Sequence, residues 1–330
     1  MASSARAGVE LLPLAELAWS EWDSAPAAIE LISLSENTVF RVDADSGETY
    51  VLRIHRPGYH DLQELLSEHS WTAALKDANV SVPVPRLTPD GRGYVSVVVP
   101  SSGESRHVGV AHWVEGTVLH DLLEHSAAEW PRHFSELGRL AARIHNQASG
   151  WEIPSDFRRH AFDEEGLMGH EPFWGRFWEV PSLEPAQKDL LGRARAKIYQ
   201  VLAGLPKDAE GYGLIHADLH PGNLLVNGDG LHAIDFDDSG FGWHLYELAV
   251  ALFRCQDGPR FDEIRDSVVA GYRSERPLTD AVLALLPIFL LIRSLVLIGW
   301  IHGRPEVDRR AMLDRLTARA CRQAEQLMQR

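Results

Sequence analysis

Cysteine is nearly absent from this chain: Cys255 and Cys321 are the only two in 330 residues. They offer neither a disulfide framework nor metal-ligand spacing, which fits a reducing cytosol. Met1 to Gly8 lack an apolar core long enough for a signal peptide, so a cytoplasmic location is expected. No apolar run reaches the roughly 18 residues of a membrane-spanning helix. Ala281–Ile292 and Ser294–Ile301 come nearest, but Pro287 interrupts the first and Arg293 divides the two, so a buried helix is expected instead. No fixed-period repeat and no low-complexity tract occurs. Positive charge is in deficit, with 32 Lys and Arg against 47 Asp and Glu and a formal net charge of −15. That balance argues against nucleic acid and anionic membrane as main partners. It is compatible with a cationic substrate, or with solubility alone. No feature of the sequence sets an oligomeric state.

What is present suits a soluble globule: 45% of residues are apolar. A chain of this length is expected to bury its core in two lobes. Leu11–Trp22 has helical spacing, and strand-like runs follow at Ala28–Leu34, Val39–Ala44 and Thr49–His55, the last two separated by Ser46-Gly47. Asp61–Lys76 returns to helical spacing through Leu62, Leu65, Leu66, Trp71 and Leu75. Val82–Pro85 reads as an extended linker, with further strands at Gly93–Val99 and His107–Val114.

After Gly116 helices dominate, at His120–Leu123, Arg132–His145, Pro185–Leu202, Trp243–Phe253, Arg260–Arg273, Thr279–Ile301 and Val307–Met328. The two strands expected there, Asn223–Val226 and Leu231–Ile234, flank the turn Asn227-Gly228-Asp229-Gly230. The expected fold class is therefore α+β and bilobal. A small mixed β-sheet lobe is expected at 1–115, with the connector to the second lobe at its end, and a larger, mainly helical lobe at 116–330.

The chemistry concentrates in His216-Ala217-Asp218-Leu219-His220-Pro221-Gly222-Asn223, followed by Ile234-Asp235-Phe236-Asp237-Asp238. Asp218 and Asn223 stand five positions apart in a loop, and Asp235 ends an apolar strand twelve positions later. Phosphoryl transfer needs one carboxylate to orient the attacking hydroxyl, and an amide and a second carboxylate to hold magnesium on the nucleotide phosphates. Magnesium is small and hard, so oxygen ligands suit it. A hairpin whose polar residues only make turns is the bland alternative. His216 and His220 are four apart in a loop with no third ligand at metal spacing, so they do not read as a zinc site.

Upstream, Leu34–Phe40 turns between two strands, and Asn37 and Thr38 are the residues there that could lie over nucleotide phosphates. The turn is not glycine-rich, and an ordinary hairpin would look much the same. Tyr50–Ile54 is a strand with one cation, Arg53, which could sit rigidly under the phosphates and offer a bidentate fork. A surface arginine on a hairpin is the plain alternative. Glu68 or Glu64, one turn apart on the next helix, could pair with Arg53, and the apolar neighbours of Glu68 favour Glu68. The run Gly109–Gly116 joins the lobes, and its backbone at Ala111 and Trp113 is expected to meet the adenine edge.

Together these residues resemble the aminoglycoside phosphotransferase and choline kinase superfamily, which has the protein-kinase fold. Leu214–Asn223 and Ala233–Gly242, with His55-Arg56-Pro57 and Glu68-His69, are most similar to the branch containing bacterial stress-response kinase A and its homoserine-kinase-like relatives. The resemblance runs from about Ile29 to Phe253. It implies that Asp218 receives or orients the hydroxyl proton. It implies that Asn223 and Asp235 bind magnesium, that Arg53 meets the ATP phosphates with Glu68 as its partner, and that His216 braces the loop. Asp237 supports either the metal or the loop. Arg53 replaces the protein-kinase lysine and no activation-loop signature follows Asp235, so control by activation-loop phosphorylation is not expected.

The expected function is an ATP- and magnesium-dependent phosphotransferase acting on a hydroxyl of a small, amino-bearing acceptor. A protein Ser/Thr kinase of the stress-response type is the second reading, and a nucleotide-binding module without catalysis the third. Phe157–Trp178, rich in aromatics, reads either as core or as a wall of the acceptor cleft.

Overall fold

Two early strands alternate between buried and less buried residues along their whole length. In the computed structural model, which describes residues 2–34, 37–304 and 309–329, helix α1 (Ala2–Trp19) leads through a single 3-10 turn at Ser20–Trp22 into β1 (Pro26–Leu34), β2 (Thr38–Ala44) and β3 (Thr49–Ile54). Along β2 every second residue is buried, including Phe40, Val42 and Ala44. Helix α2 (Leu62–Asp77) begins on a capping box in which Asp61 accepts from the Glu64 N–H and Glu64 reaches back to the Asp61 N–H. Then come β4 (Tyr94–Val98) and β5 (Ser105–His112). The five strands form one sheet in the order β1-β2-β3-β5-β4, with every neighbouring pair antiparallel. Trp19, Trp22, Phe40, Tyr50, Leu52 and Val110 are among its core residues.

The chain continues through β6 (Thr117–Val118), α3 (Leu119–His125), α4 (Trp130–Gly150), β7 (Ala161–Phe162), α5 (Glu164–Met168), α6 (Pro185–Ala203), β8 (Tyr212–Ile215), β9 (Leu224–Asn227), β10 (Gly230–Ala233) and β11 (Gly240–Trp243). It ends in α7 (His244–Leu252), α8 (Phe261–Arg273), α9 (Asp280–Leu283), α10 (Leu286–His302) and α11 (Arg310–Met328). The expected start of the last helix at Val307 lies outside the described residues. The helix expected over Thr279–Ile301 is broken between α9 and α10, and Pro287 takes the first turn of α10, where its missing N–H costs nothing.

Two units result. One comprises Met1–Thr117, Glu152–Arg158 and Leu225–Asp237, and the other Val118–Trp151, Arg159–Leu224 and Asp238–Arg330. The first unit thus takes back two later segments. Ser67 Oγ accepts from Arg158 N–H at 2.8 Å, Ser81 O accepts from Ala233 N–H at 3.0 Å, and the ring of Phe236 meets that of Trp71 edge-on at 5.6 Å. In the second unit, β7, β11 and β8 form a three-stranded sheet absent from the sequence expectation. The strands are two to four residues long, and β11 reads Gly240-Phe241-Gly242-Trp243. Neither length nor composition marks them as strands. Residues Asp280–His302 are long and apolar enough to cross a membrane by length and composition alone. Leu290, Ile292, Leu295 and Ile298 of α10 are instead buried within the second unit, where α10 packs on α7 and α11.

Helices α4 and α8 cross in close contact within the second unit. A Cβ on Gly138 would stand 2.1 Å from Val268 O, and one on Gly271 would stand 1.9 Å from Ser135 O. Both positions need glycine because the two backbones nearly touch.

Candidate functional site

In the first unit, Arg53 lies on β3 in the interior of the sheet, in register with Val39 of β2 and Gly109 of β5. Three carboxylates surround its guanidinium. Nη2 meets Glu68 Oε1 at 3.0 Å, and Nη1 lies 3.6 Å from Asp235 Oδ1 and 3.5 Å from Asp237 Oδ1. Burial works against the Arg53 charge, but Glu68, Asp235 and Asp237 more than restore it and hold the group firmly protonated. Of the two glutamates on α2, Glu68 makes the pair, while Glu64 is spent on the capping box.

The carboxylates differ in exposure. The side chain of Glu68 is 4% exposed, that of Asp237 is 10% and that of Asp235 is 53%. Asp235 also has a left-handed φ of +65°, a strained conformation for a residue with a Cβ. An exposed carboxylate on a fixed, strained backbone is a suitable ligand for a hard cation. Asp237 is turned inward, 3.4 Å from His55 Nδ1, and its carbonyl accepts from His60 Nε2 at 2.7 Å. Burial pushes the His55 imidazole down, so at pH 7 it is neutral.

Four further first-unit residues named from the sequence are placed differently from that expectation. Asn37 is 7% exposed, and its Oδ1 accepts from the Arg56 N–H at 3.0 Å. Its side chain therefore ties the start of β2 to the chain just past β3. Thr38 is buried at the start of β2, opposite Ile54. Ala111 is inside β5, opposite Val51, with a bridge to Pro85 on its other side. The N–H groups of His112 and Arg86 bond across that bridge, so the backbone of Ala111 faces β3. Trp113 donates its N–H to Thr49 O at 3.0 Å, and its ring lies beneath Arg41. Half of the run read as a connector, Gly109–His112, is thus sheet, because β3 pairs with it through His112.

The second unit carries Asp218 and Asn223. Ala217, just before Asp218, has a φ of +64° and is fully buried. Its strain is held by Glu247 of α7. Glu247 Oε2 accepts the N–H groups of His216 at 2.6 Å and Ala217 at 3.1 Å, and Oε1 accepts that of Leu219 at 3.3 Å. His216 adds a fourth tie, with Nδ1 accepting the Asp218 N–H at 3.3 Å. Asn223 Nδ2 donates to Asp218 O at 3.0 Å and Asp218 Oδ2 at 2.8 Å, so its Oδ1 is the end left for a cation.

Asp218 is gripped on both oxygens. Asn223 and His220 approach Oδ2, the latter at 3.3 Å, and Arg293 of α10 donates from Nη2 to Oδ1. Burial alone would raise the Asp218 carboxyl. His220 and the Arg293 guanidinium outweigh it and hold the group well below the usual carboxylate range. Asp218 is thus ionised at neutral pH, able to accept a hydrogen bond from a hydroxyl.

Glu247 and Arg293 are the two residues that sequence reasoning passed over. Each left a signal: a lone charge inside an apolar helical run, Leu245–Leu252 in one case and Leu286–Ile301 in the other. Such a charge is retained only when something pairs with it. In the aromatic segment, Phe162 and Phe177 are fully buried core, while Trp174 packs its ring against the Arg293 guanidinium at 5.1 Å.

Several known proteins resemble this chain. The profile of the phosphotransferase enzyme family matches residues 28–283. A solved structure of a microcompartment-associated aminopropanol kinase is similar over 96% of this chain and 98% of that one, with a TM-score of 0.84 and 34% identity. Amicoumacin kinase of Bacillus subtilis is 25% identical over 285 residues, 83% of this chain and 80% of that protein. A homoserine kinase of Methylobacterium radiotolerans is 32% identical over 186 residues, 52% of this chain and 54% of that protein.

Proposed function

The chain belongs to the phosphotransferase enzyme family and is an ATP-dependent kinase acting on a hydroxyl, and from that premise we propose that its acceptor is a small alcohol bearing an amino group. The observation that carries the reading is Asp218, an ionised carboxylate fixed by Arg293, Asn223 and His220 on a loop braced by Glu247. In this reading Asp218 accepts the hydroxyl proton as the new O–P bond forms and the γ-phosphate leaves ADP. The reaction needs positioning and charge neutralisation more than covalent chemistry.

Arg53 is assigned to the nucleotide phosphates, with Glu68 setting its orientation. Asp235 and Asn223 are each assigned as an oxygen donor to magnesium, and the donor set fits that ion because both offer hard oxygen atoms. Bound magnesium would offset phosphate charge.

Three arguments support an amino-bearing acceptor. Aminopropanol and homoserine, named for two of the similar kinases, each combine an amine with a hydroxyl. The chain's charge of −15 attracts cations. Small-molecule kinases account for all three similarities described above.

The test is ATP consumption with magnesium against a panel of amino alcohols, neutral alcohols, aminoglycosides and protein Ser/Thr substrates. Turnover should be highest on an amino alcohol, and D218N should lower it by ~10²–10⁴-fold. A neutral or anionic best acceptor, or phosphorylation of protein alone, would overturn the acceptor class. Unchanged turnover in D218N would remove Asp218 from the mechanism.

A further inference from the structure

The geometry points to Arg293 as a positioning residue for phosphoryl transfer, one that holds the Asp218 carboxylate in a single rotamer under the acceptor hydroxyl. This rests on the reading of Asp218 as the group that receives the hydroxyl proton.

Arg293 projects from the interior of α10 and is 6% exposed. Three contacts fix its guanidinium. Nη2 donates to Asp218 Oδ1, Nη1 donates to Tyr246 Oη at 3.3 Å, and the guanidinium lies 5.1 Å from the centre of the Trp174 ring. Each of these partners comes from a different stretch of chain. Tyr246 is itself fully buried and stacked on Phe162, with ring centres 5.7 Å apart. The anchor beneath Asp218 is therefore built of parts that cannot readily turn.

The other two side-chain donors to Asp218, Asn223 and His220, come from its own loop and both reach Oδ2. They leave the carboxylate free to swing about that oxygen. Arg293 supplies the second point of attachment on Oδ1, and its planar fork holds direction better than a point charge would. Misplacing a reacting group by about 1 Å can cost ~10²-fold in rate.

The test is a double-mutant cycle of R293A and D218N, with 1-amino-2-propanol as acceptor and ATP binding as the control for folding. We expect R293A alone to lower kcat by ~10²-fold with the Kd for ATP little changed. In the D218N background the same substitution should add less than about threefold, because the carboxylate it positions is gone. R293K should recover less than half of the loss, since it restores charge without the fork. Millimolar methylguanidinium should restore part of the R293A rate by entering the vacated space. Equal losses in both backgrounds, full recovery in R293K, or a fall in ATP affinity matching the fall in kcat would each overturn the proposal. If aminopropanol is not phosphorylated, the acceptor class fails separately. The cycle is then read on ATP hydrolysis, with water as acceptor, and the same additivity criterion decides.

Discussion

Glu247 accepts the backbone N–H of Ala217, the residue whose φ of +64° turns the chain into Asp218. A buried carboxylate on α7 thus holds a strained loop that carries the candidate proton acceptor. Strain of this kind persists only where the surroundings over-determine it.

Glu247→Gln keeps the size of the side chain but replaces one acceptor oxygen with a donor. Because three N–H groups converge on the carboxylate, at least one would then face an amide N–H. Leaving a buried donor unsatisfied costs about 1–3 kcal/mol. We expect a lower melting temperature and a kcat reduced by at least ~10-fold, since the loop loses its set position. Full activity at an unchanged melting temperature would mean that the loop holds itself.

Arg53→Met should weaken ATP binding, and Glu68→Ala should do so less. Their ion pair spans 3.0 Å in a mostly buried setting, so the two changes should be less than additive by about 0.5–3 kcal/mol. Calorimetric titration of all four proteins with magnesium-ATP reads the coupling. Strict additivity would show that the pair does not act as one unit in the nucleotide complex.

Acid should destabilise the fold well above the carboxylate range. Burial pushes His69 down to about 4 and His244 to about 2, and lowers His55 and His145 as well. Below about pH 6.5 the unfolded chain takes up protons that these folded imidazoles refuse, so stability falls as pH falls, by up to ~1.4 kcal/mol per pH unit for each group. Glu247, raised by burial from 4.5, acts in the opposite sense above that value. Thermal melts from pH 7.5 to 5 should show a steady decline. The slope should be shallower in His69→Phe, whose ring can keep the stack on Tyr94 at 4.2 Å. A flat profile in the parent protein would contradict the buried neutral state.

Gly271→Ala should be among the more damaging small substitutions. The added Cβ would stand 1.9 Å from Ser135 O in the crossing of α4 and α8, and backbone cannot move aside as a flexible side chain can. Overpacking of this kind costs about 1–3 kcal/mol, readable as a lower urea midpoint with an unchanged slope. Gly192→Ala, which meets nothing within 4 Å, is the matched control.

Short-range signals were enough for much of this protein. Period-two burial marks β2 and β3, the Asp61–Glu64 box starts α2, and a turn of asparagine, aspartate and glycine separates β9 from β10. The spacing of Asp218, Asn223 and Asp235 was legible for the same reason: a tight loop and a strand end place side chains through local geometry alone. What the tertiary structure decided was which distant group meets which. Glu247 and Arg293 lie in apolar helical runs whose periodicity says only that they are buried, and docking of α7 and α10 turns them toward the Asp218 loop. The backbone of Ala111 and Trp113 was committed to the sheet by β3, a strand about sixty residues earlier. Segment 225–237 joined the first unit through hydrogen bonds and ring contacts to α2 and to Ser81. Propensity and spacing act over a few residues, whereas a buried charge finds its partner only when separate elements pack, because only then does removing it from water leave it one place to go.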